Sequence, residues 1–233
     1  MNETDKIHTR YQRRENIPIS RYGYFNPGNL FIIQQREKKL LELLKKYNYQ
    51  DLTNTLILDV GCGDGSCLRQ FVKYGAMPKN LFGIDLLPER TKKAQIISPN
   101  ISVAQGNAEY IDFPDKLFDI VIQSTAFTSI LEDKMKANIA KEMLRVLNNN
   151  GTIIWYDFRY NNPSNQDVRG IKKEEIKNLF PSCKCDFHRT TLIPPLARIL
   201  AKLNWTTCHL LSLFPFLLSH YLVFIKKGDI KDV

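Results

Sequence analysis

Cysteine is scarce and badly placed for cross-linking. Five in 233 residues, an odd number at uneven intervals, make no disulfide framework. Cys183-x-Cys185, with His188 close by, resembles half of a metal site. No second ligand pair follows, and alternate side chains of one strand explain the spacing, so no metal is expected. Nor is there an internal repeat, a low-complexity linker, or a basic run interleaved with aromatics of the kind that marks a nucleic-acid surface. Net charge is +9, but the lysines sit in small separate clusters (Lys38-Lys39, Lys45-Lys46, Lys172-Lys173, Lys226-Lys227), the pattern of solvated faces. Nucleic acid is therefore not an expected partner, and the basic balance adds only a weak attraction for an acidic substrate or membrane surface. The opening "MNETDKIHTRYQRREN" lacks the apolar core of a secretory signal, which leads us to expect a reduced, cytoplasmic protein. Only Cys208 to Ile225 is apolar over a length that could cross a bilayer. Pro215 and Ser219-His220 interrupt it, and "HYLVFIKK" has the β-branched and aromatic content of a strand, so the expectation is a helix followed by a strand.

What is present is an ordinary globular composition, 43% hydrophobic and 24% charged, on a chain long enough to bury a full core. Strand-like and helix-like segments alternate. Apolar runs at Leu56–Val60, Leu81–Asp85, Ile101–Gln105, Leu117–Gln123 and from Gly151 read as strands, followed by candidates in "DFHRTTLI" and "HYLVFIKK". Between them Ser66–Tyr74, the segment opened by Pro88, Glu132–Asn148 and Ile171–Phe180 read as helices; Met135, Ile139 and Met143 mark a buried face on the third. Asn148-Asn149-Asn150 is read as a turn in left-handed backbone. Such alternation implies an α/β fold of parallel strands joined by right-handed crossovers, with helices on both faces. Leu30–Tyr47 adds a helix before the sheet.

The most telling stretch is "LDVGCGDG", Leu58 to Gly65. Three alternating glycines after a strand provide bare backbone where open α/β sheets bind ligands. A dinucleotide fingerprint G-x-G-x-x-G matches at Gly61 and Gly63 but meets Ser66 at its third position. A tight turn with no ligand would use the same residues. Asp59, two residues before the first glycine, favours a different ligand. A carboxylate there repels a pyrophosphate and attracts an ammonium, which points to an amino-acid-bearing nucleoside, S-adenosylmethionine. The structural alternative for Asp59 is to cap the next turn.

Taken with these residues, "ILDVGCGDG", "GNAEYIDFPDKLFDIVI" and "EMLRVLNNNG" resemble the motifs of class I S-adenosylmethionine-dependent methyltransferases of the type 11 group, over about residues 55–160. The resemblance implies a Rossmann-like, seven-stranded, mostly parallel sheet whose last strand is antiparallel. It also implies that the turn Gly61, Cys62 and Gly63 lies against the cofactor and that Asp59 receives its ammonium, directly or through water. Asp85, 20 residues beyond Gly65, would accept from the ribose hydroxyls, and Leu86 would pack on the adenine. Asn107 stands where the family has aspartate and would accept from the adenine amino group. Ala108 would offer its N–H, and Gln123 would face the sulfonium. The expected organisation is an N-terminal loop and helix over 1–50 as a candidate lid, a cofactor-binding core over 51–193, a helical cap over 194–219, and a final strand with its tail over 220–233.

Methyl transfer is an in-line displacement that asks mainly for positioning and desolvation. A base is needed when the acceptor is a hydroxyl, and Asp157, where the fifth strand opens, is the candidate. Its alternative is a capping or paired acid beside Arg159 or Arg169, and His209 and His220 are rival bases. Tyr22, Tyr24 and Phe25 are read as lid aromatics, with Arg36 pairing the cofactor carboxylate. In 194–219, Leu196, Ile199, Leu200 and Leu203 fall on one helical face that would cover a lipid-like acceptor or touch a membrane; a helix covering the sheet edge is the alternative. The expected acceptor is a small molecule, a glycan or a lipid-linked group, methylated at oxygen. "QSTAFTS" after the fourth strand departs from the "NPPY" type of amino-group methylation. RNA or protein methylation, and a non-catalytic cofactor-binding scaffold, are the other readings.

Overall fold

Seven segments pair into one sheet in the computed structural model, which describes residues 2–14, 18–162 and 165–228. They are β1 (Ile57–Val60), β2 (Leu81–Asp85), β3 (Ser102–Gln105), β4 (Phe118–Ser124), β5 (Leu147–Phe158), β6 (Cys183–Leu192) and β7 (Leu218–Lys227). Their order is β3-β2-β1-β4-β5-β7-β6. Strands β1 to β5 are mutually parallel, and β7 runs antiparallel to both β5 and β6. The order reverses between β1 and β4, which puts a crevice outside their carboxyl ends.

Alternating side chains divide the core between the two faces of this sheet. Ile57, Ile120, Ile154, Leu222 and Phe224 pack with Leu40, Leu43 and Leu44 of α2 (Pro27–Lys46) and with Leu68 and Phe71 of α3 (Ser66–Lys73). Leu58, Val121, Ile153, Trp155 and Val223 pack on the opposite face with Met135, Ile139 and Met143 of α5 (Asp133–Val146). Each such side chain, taken out of water, stabilises the fold by about 1.5–3 kcal/mol. The remaining crossover helices are α4 (Pro88–Ile97) and α6 (Lys173–Leu179).

Helix α2 begins where its sequence says it should. Asn26 accepts hydrogen bonds from the N–H groups of Gly28 and Asn29, and Pro27 fills the first helical position. A side chain at Gly28 would lie 2.3 Å from the Cα of Arg198, so glycine is what lets α7 (Pro194–Leu200) seat on α2.

Three local expectations are corrected. Asn148–Asn150 is not a left-handed turn: β5 already starts at Leu147, and Asn148 donates to Asp119 Oδ1 at 2.5 Å across the edge. Residues 194–219 form two short helices, α7 and α8 (Trp205–Leu211), and a 3-10 turn, Pro215–Leu217. The proposed single face is split there, with Leu196 and Leu200 packed inward and Ile199 and Leu203 outward. Finally, a helix was missed near the N-terminus, α1 (Glu3–Arg14), capped by Asn2 and acidic in its first turn, basic in its last. No helix among the described residues is long and apolar enough to cross a membrane.

Candidate active site

Strand β1 delivers the chain to the crevice and stops at a turn only glycine suits. Gly61 and Gly63 adopt φ of +75° and +57°. The N–H groups of Gly61 and Cys62 both donate to Ile84 O, at 2.8 and 3.1 Å, which ties the turn to β2. A Cβ on Gly61 would come within 2.7 Å of the Ala126 side chain, and one on Gly63 within 2.3 Å of the Arg90 guanidinium. Asp64, the acid within the turn, belongs to the surface: it pairs with Lys93 at 3.2 Å and Arg69 at 3.5 Å.

Asp59 is buried, and its Oδ1 has no hydrogen-bond partner within the protein. Burial, helped by the negative charge of Asp85, pushes its carboxyl up to about 7, while Arg36 and Arg90 pull the other way. Asp85, at the end of β2, accepts from Gly63 N at 2.7 Å and Leu87 N at 3.0 Å. A carboxylate offers about four lone-pair positions, so two remain for hydroxyl donors.

Beside these acids lies a cavity walled mostly by apolar side chains. Gly61, Asp85, Leu86, Asn107 and Ala108 line it, which brings five of the expected cofactor residues together. Asn107 is folded back on itself, however: its amide accepts from Glu109 N and donates to the Glu109 carboxylate, so its oxygen is already in use. Asp59, Cys62, Gly63 and Gln123 are not among the lining residues. Cys62 packs against Gly83 in the core, where burial pushes its thiol well up. Gln123 is fully buried and bridges Tyr156 O and Ala126 N. Both therefore shape the turn from behind.

Helix α1 supplies a wall that the sequence reading did not assign. Ile7 and Tyr11 line the cavity, and the Tyr11 ring lies over the Arg90 guanidinium at 5.0 Å. The helix is fastened by polar groups: buried Arg10 pairs with Glu3 at 2.7 Å and donates to Ser129 O, while Glu3 accepts from Leu131 N. The i, i+4 spacing of Ile7 and Tyr11 in an otherwise polar segment is the signal that was available. Tyr22, Tyr24 and Phe25, read as lid aromatics, are exposed and do not line the cavity.

Asp157 does not line the cavity. Its carboxylate accepts from Thr128 N at 3.1 Å, Thr128 Oγ1 at 2.7 Å and Phe158 N at 2.9 Å. Burial raises it to about 7 in spite of these bonds. The geometry favours the capping alternative, an acid that anchors the loop after β4. Asp157→Ala leaves three donors without an acceptor, and we expect it to lower stability by about 2–4 kcal/mol in a thermal melt. Loss of turnover with an unchanged melting temperature would contradict this.

On the α2 side of the sheet, Arg36 connects several groups. It donates to Gln70 at 3.1 Å, lies over the Tyr156 ring at 5.1 Å, and its charge acts on both Asp59 and His220. His220 is buried, stacked on Tyr156 at 4.7 Å, and held near 3 by burial and Arg36, hence neutral. Ser219 Oγ lies 2.9 Å from His220 Nδ1 and 3.1 Å from Thr191 O, and holds the ring in place. His209, the other rival base, is exposed on α8, its ring 5.0 Å from that of Phe31, and does not line the cavity. Cys183 and Cys185 are free thiols, and no metal-binding cluster occurs among the described residues.

Residues 57–151 match the family model for a methyltransferase domain. A curated relative, a probable methyltransferase called ltbC from Aspergillus luteorubrus, is 30% identical over 129 residues, covering 51% of this chain. The chain spans 42% of the length of that relative. Among solved structures, the PH0226 protein of Pyrococcus horikoshii superposes with a TM-score of 0.59 at 19% identity, over 83% of this chain and 90% of that one. An S-adenosylmethionine-dependent methyltransferase from Methanosarcina mazei gives 0.59 at 18% identity, over 80% and 98%. At these identities the superpositions show a common fold.

Proposed function

We propose, from the premise that residues 57–151 match a methyltransferase domain, that the whole chain is a class I S-adenosylmethionine-dependent enzyme that transfers a methyl group to a hydroxyl of a small-molecule, glycan or lipid-linked acceptor. The observation that carries the cofactor assignment is the buried, unpartnered Oδ1 of Asp59 beside a bare glycine turn. A buried polar atom without a partner is costly, and an ammonium from the ligand would satisfy it. The other residues fit the same group. Asp85 has lone pairs free for ribose hydroxyls, Leu86 and Ala108 offer an apolar slot for the base, and the charge of Arg36 acts on Asp59. When bound, the cofactor supplies a methyl group on a sulfonium, a leaving group already activated.

What the chain's own residues do is hold and exclude water. Ile7 and Tyr11 of α1 line the cavity, so residues 1–50 would serve as the lid through α1. The core would comprise 51–193 and 220–233, and 194–219 would cap the acceptor side. Neither Asp157 nor His220 is placed to take a hydroxyl proton: Asp157 is occupied by Thr128 and Phe158, and His220 is buried outside the cavity lining and held near 3, so transfer would rest on positioning and desolvation. We expect His220→Ala to leave kcat within about tenfold and to lower stability by about 2–4 kcal/mol in a thermal melt, through lost packing on Tyr156 and Phe158. A loss of kcat of about a hundredfold at an unchanged melting temperature would contradict this.

Release of S-adenosylhomocysteine with a panel of hydroxyl acceptors tests the activity. Turnover with small or lipid-linked alcohols supports the proposal. Turnover confined to RNA or protein would replace it, and cofactor binding without any turnover would favour a scaffold.

A further inference from the structure

The cap turns apolar side chains in two directions. Inward, Leu196, Ala197, Leu200, Cys208 and Leu211 close a small core around Phe31. That accounts for their burial and for the seat of α7 on α2. Outward, Ile199 is 64% exposed, Leu203 83%, Leu210 58%, Leu213 75% and Phe216 64%. A helix that only covered a sheet would carry polar residues on this second face. Leu203 and Leu213 sit in the turns after α7 and α8, and Phe216 in the 3-10 turn. The loop before α2 joins the same surface: Tyr22 lies under Arg198 of α7 at 5.5 Å, and Phe25, three residues on, is fully exposed. An outward apolar surface of this kind marks an interaction site.

The charges around it have one sign. From Phe187 to Gly228 there is no aspartate or glutamate, while Arg198 lies on α7 and Lys202 in the turn that follows it. From Asn16 to Arg36 there is again no acid, and Arg21 is close enough to Arg198 for their charges to oppose each other. A second copy of the chain pairing through this face about a two-fold axis would set arginine and lysine against arginine and lysine. An anionic bilayer satisfies both features, with apolar side chains entering the acyl boundary and cations at the headgroups.

We infer that the outer face of α7, α8 and the following 3-10 turn, extended by the loop at residues 21–25, is a docking surface for an anionic lipid bilayer. The inference stands apart from the methyl-transfer reading, since it uses none of the cavity residues. Flotation of the full chain with phosphatidylcholine vesicles, with and without ~30% phosphatidylglycerol, tests it. The wild type is expected to float with the anionic vesicles and to be released as salt rises to ~0.5 M. Leu203→Ser combined with Phe216→Ser, and separately Arg21→Glu combined with Lys202→Glu, should each reduce binding by about tenfold or more. All four side chains are exposed, so melting temperatures should hold, and calorimetry with S-adenosylmethionine on the same samples reads the cavity independently. Failure of the wild type to float with anionic vesicles overturns the inference, as does equal flotation by wild type and variants. Concentration-dependent dimers that Leu203→Ser abolishes, without vesicle binding, would give the surface to a second copy and overturn it too.

Discussion

Calorimetric titration of Asp59→Asn with S-adenosylmethionine is expected to show binding weakened by on the order of a hundredfold, about 3 kcal/mol. The substitution keeps the shape of the side chain and removes its charge. It strips the ligand's ammonium of a counter-ion at a buried position, where Oδ1 otherwise has no partner. Asp85→Ala should weaken binding comparably by a different route, because Gly63 N and Leu87 N lose their acceptor along with the ribose hydroxyls. pH separates the two. Since burial lifts Asp59 to about 7, wild-type affinity should rise about tenfold per unit as pH increases toward 7, then level off as the carboxylate becomes fully ionised. Asp59→Asn should lose that slope. The ligand-free protein should respond in the opposite sense. Asp59 and Asp157 both rise from 3.8 to about 7 on folding, so the folded chain holds more protons between those values. The stability they lend is full below about pH 4 and is lost as pH climbs through 7. A wild-type affinity flat from pH 5.5 to 7 would contradict the role given to Asp59.

The second large effect is on the fold beneath the site. Trp155 is fully buried on β5, with its ring 4.5 Å from Phe127 and 6.0 Å from Phe180. Phe127 lines the cavity, so the indole is the floor on which the loop after β4 rests. Trp155→Ala opens a void that rigid strands cannot fill, and we expect a loss of about 3–5 kcal/mol. For a domain of this size that lowers Tm by roughly 6–20 °C. Trp155→Phe should be far milder. The indole N–H is buried without a partner, so its removal recovers part of what the smaller ring loses in packing. Differential scanning calorimetry of the two variants checks this; equal losses would mean that the N–H is satisfied in solution.

The sheet could be read from the chain because its strands are short apolar runs separated by amphipathic helices. The register of Met135, Ile139 and Met143 gave the buried face of α5 for the same reason. The turn at Gly61 and Gly63 was also legible, since the positive φ values there demand glycine. Reading failed where tertiary contacts decided the outcome. Helix α1 is mostly polar, and what holds it is the buried Arg10–Glu3 pair together with backbone groups of residues 129 and 131, far away in sequence. Asp157 stood at the right end of the right strand. Nothing in its neighbours, though, told that Thr128, 29 residues earlier, would occupy its carboxylate. Asn107 has the expected place in the cavity, yet Glu109, two residues on, claims its amide. His220 could be picked out as a candidate, but its burial against Tyr156 and Phe158 follows only when β5 and β7 pair.

The most direct trial of the ligand preference ascribed to the glycine turn is a pair of titrations of the wild-type chain, one with S-adenosylmethionine and one with NADH. Saturable heat at one site per chain with the first, and none with the second, is the predicted outcome. Uptake of NADH in the absence of any response to S-adenosylmethionine would mean that Asp59 does not select against a pyrophosphate, and the assignment built on it would fail.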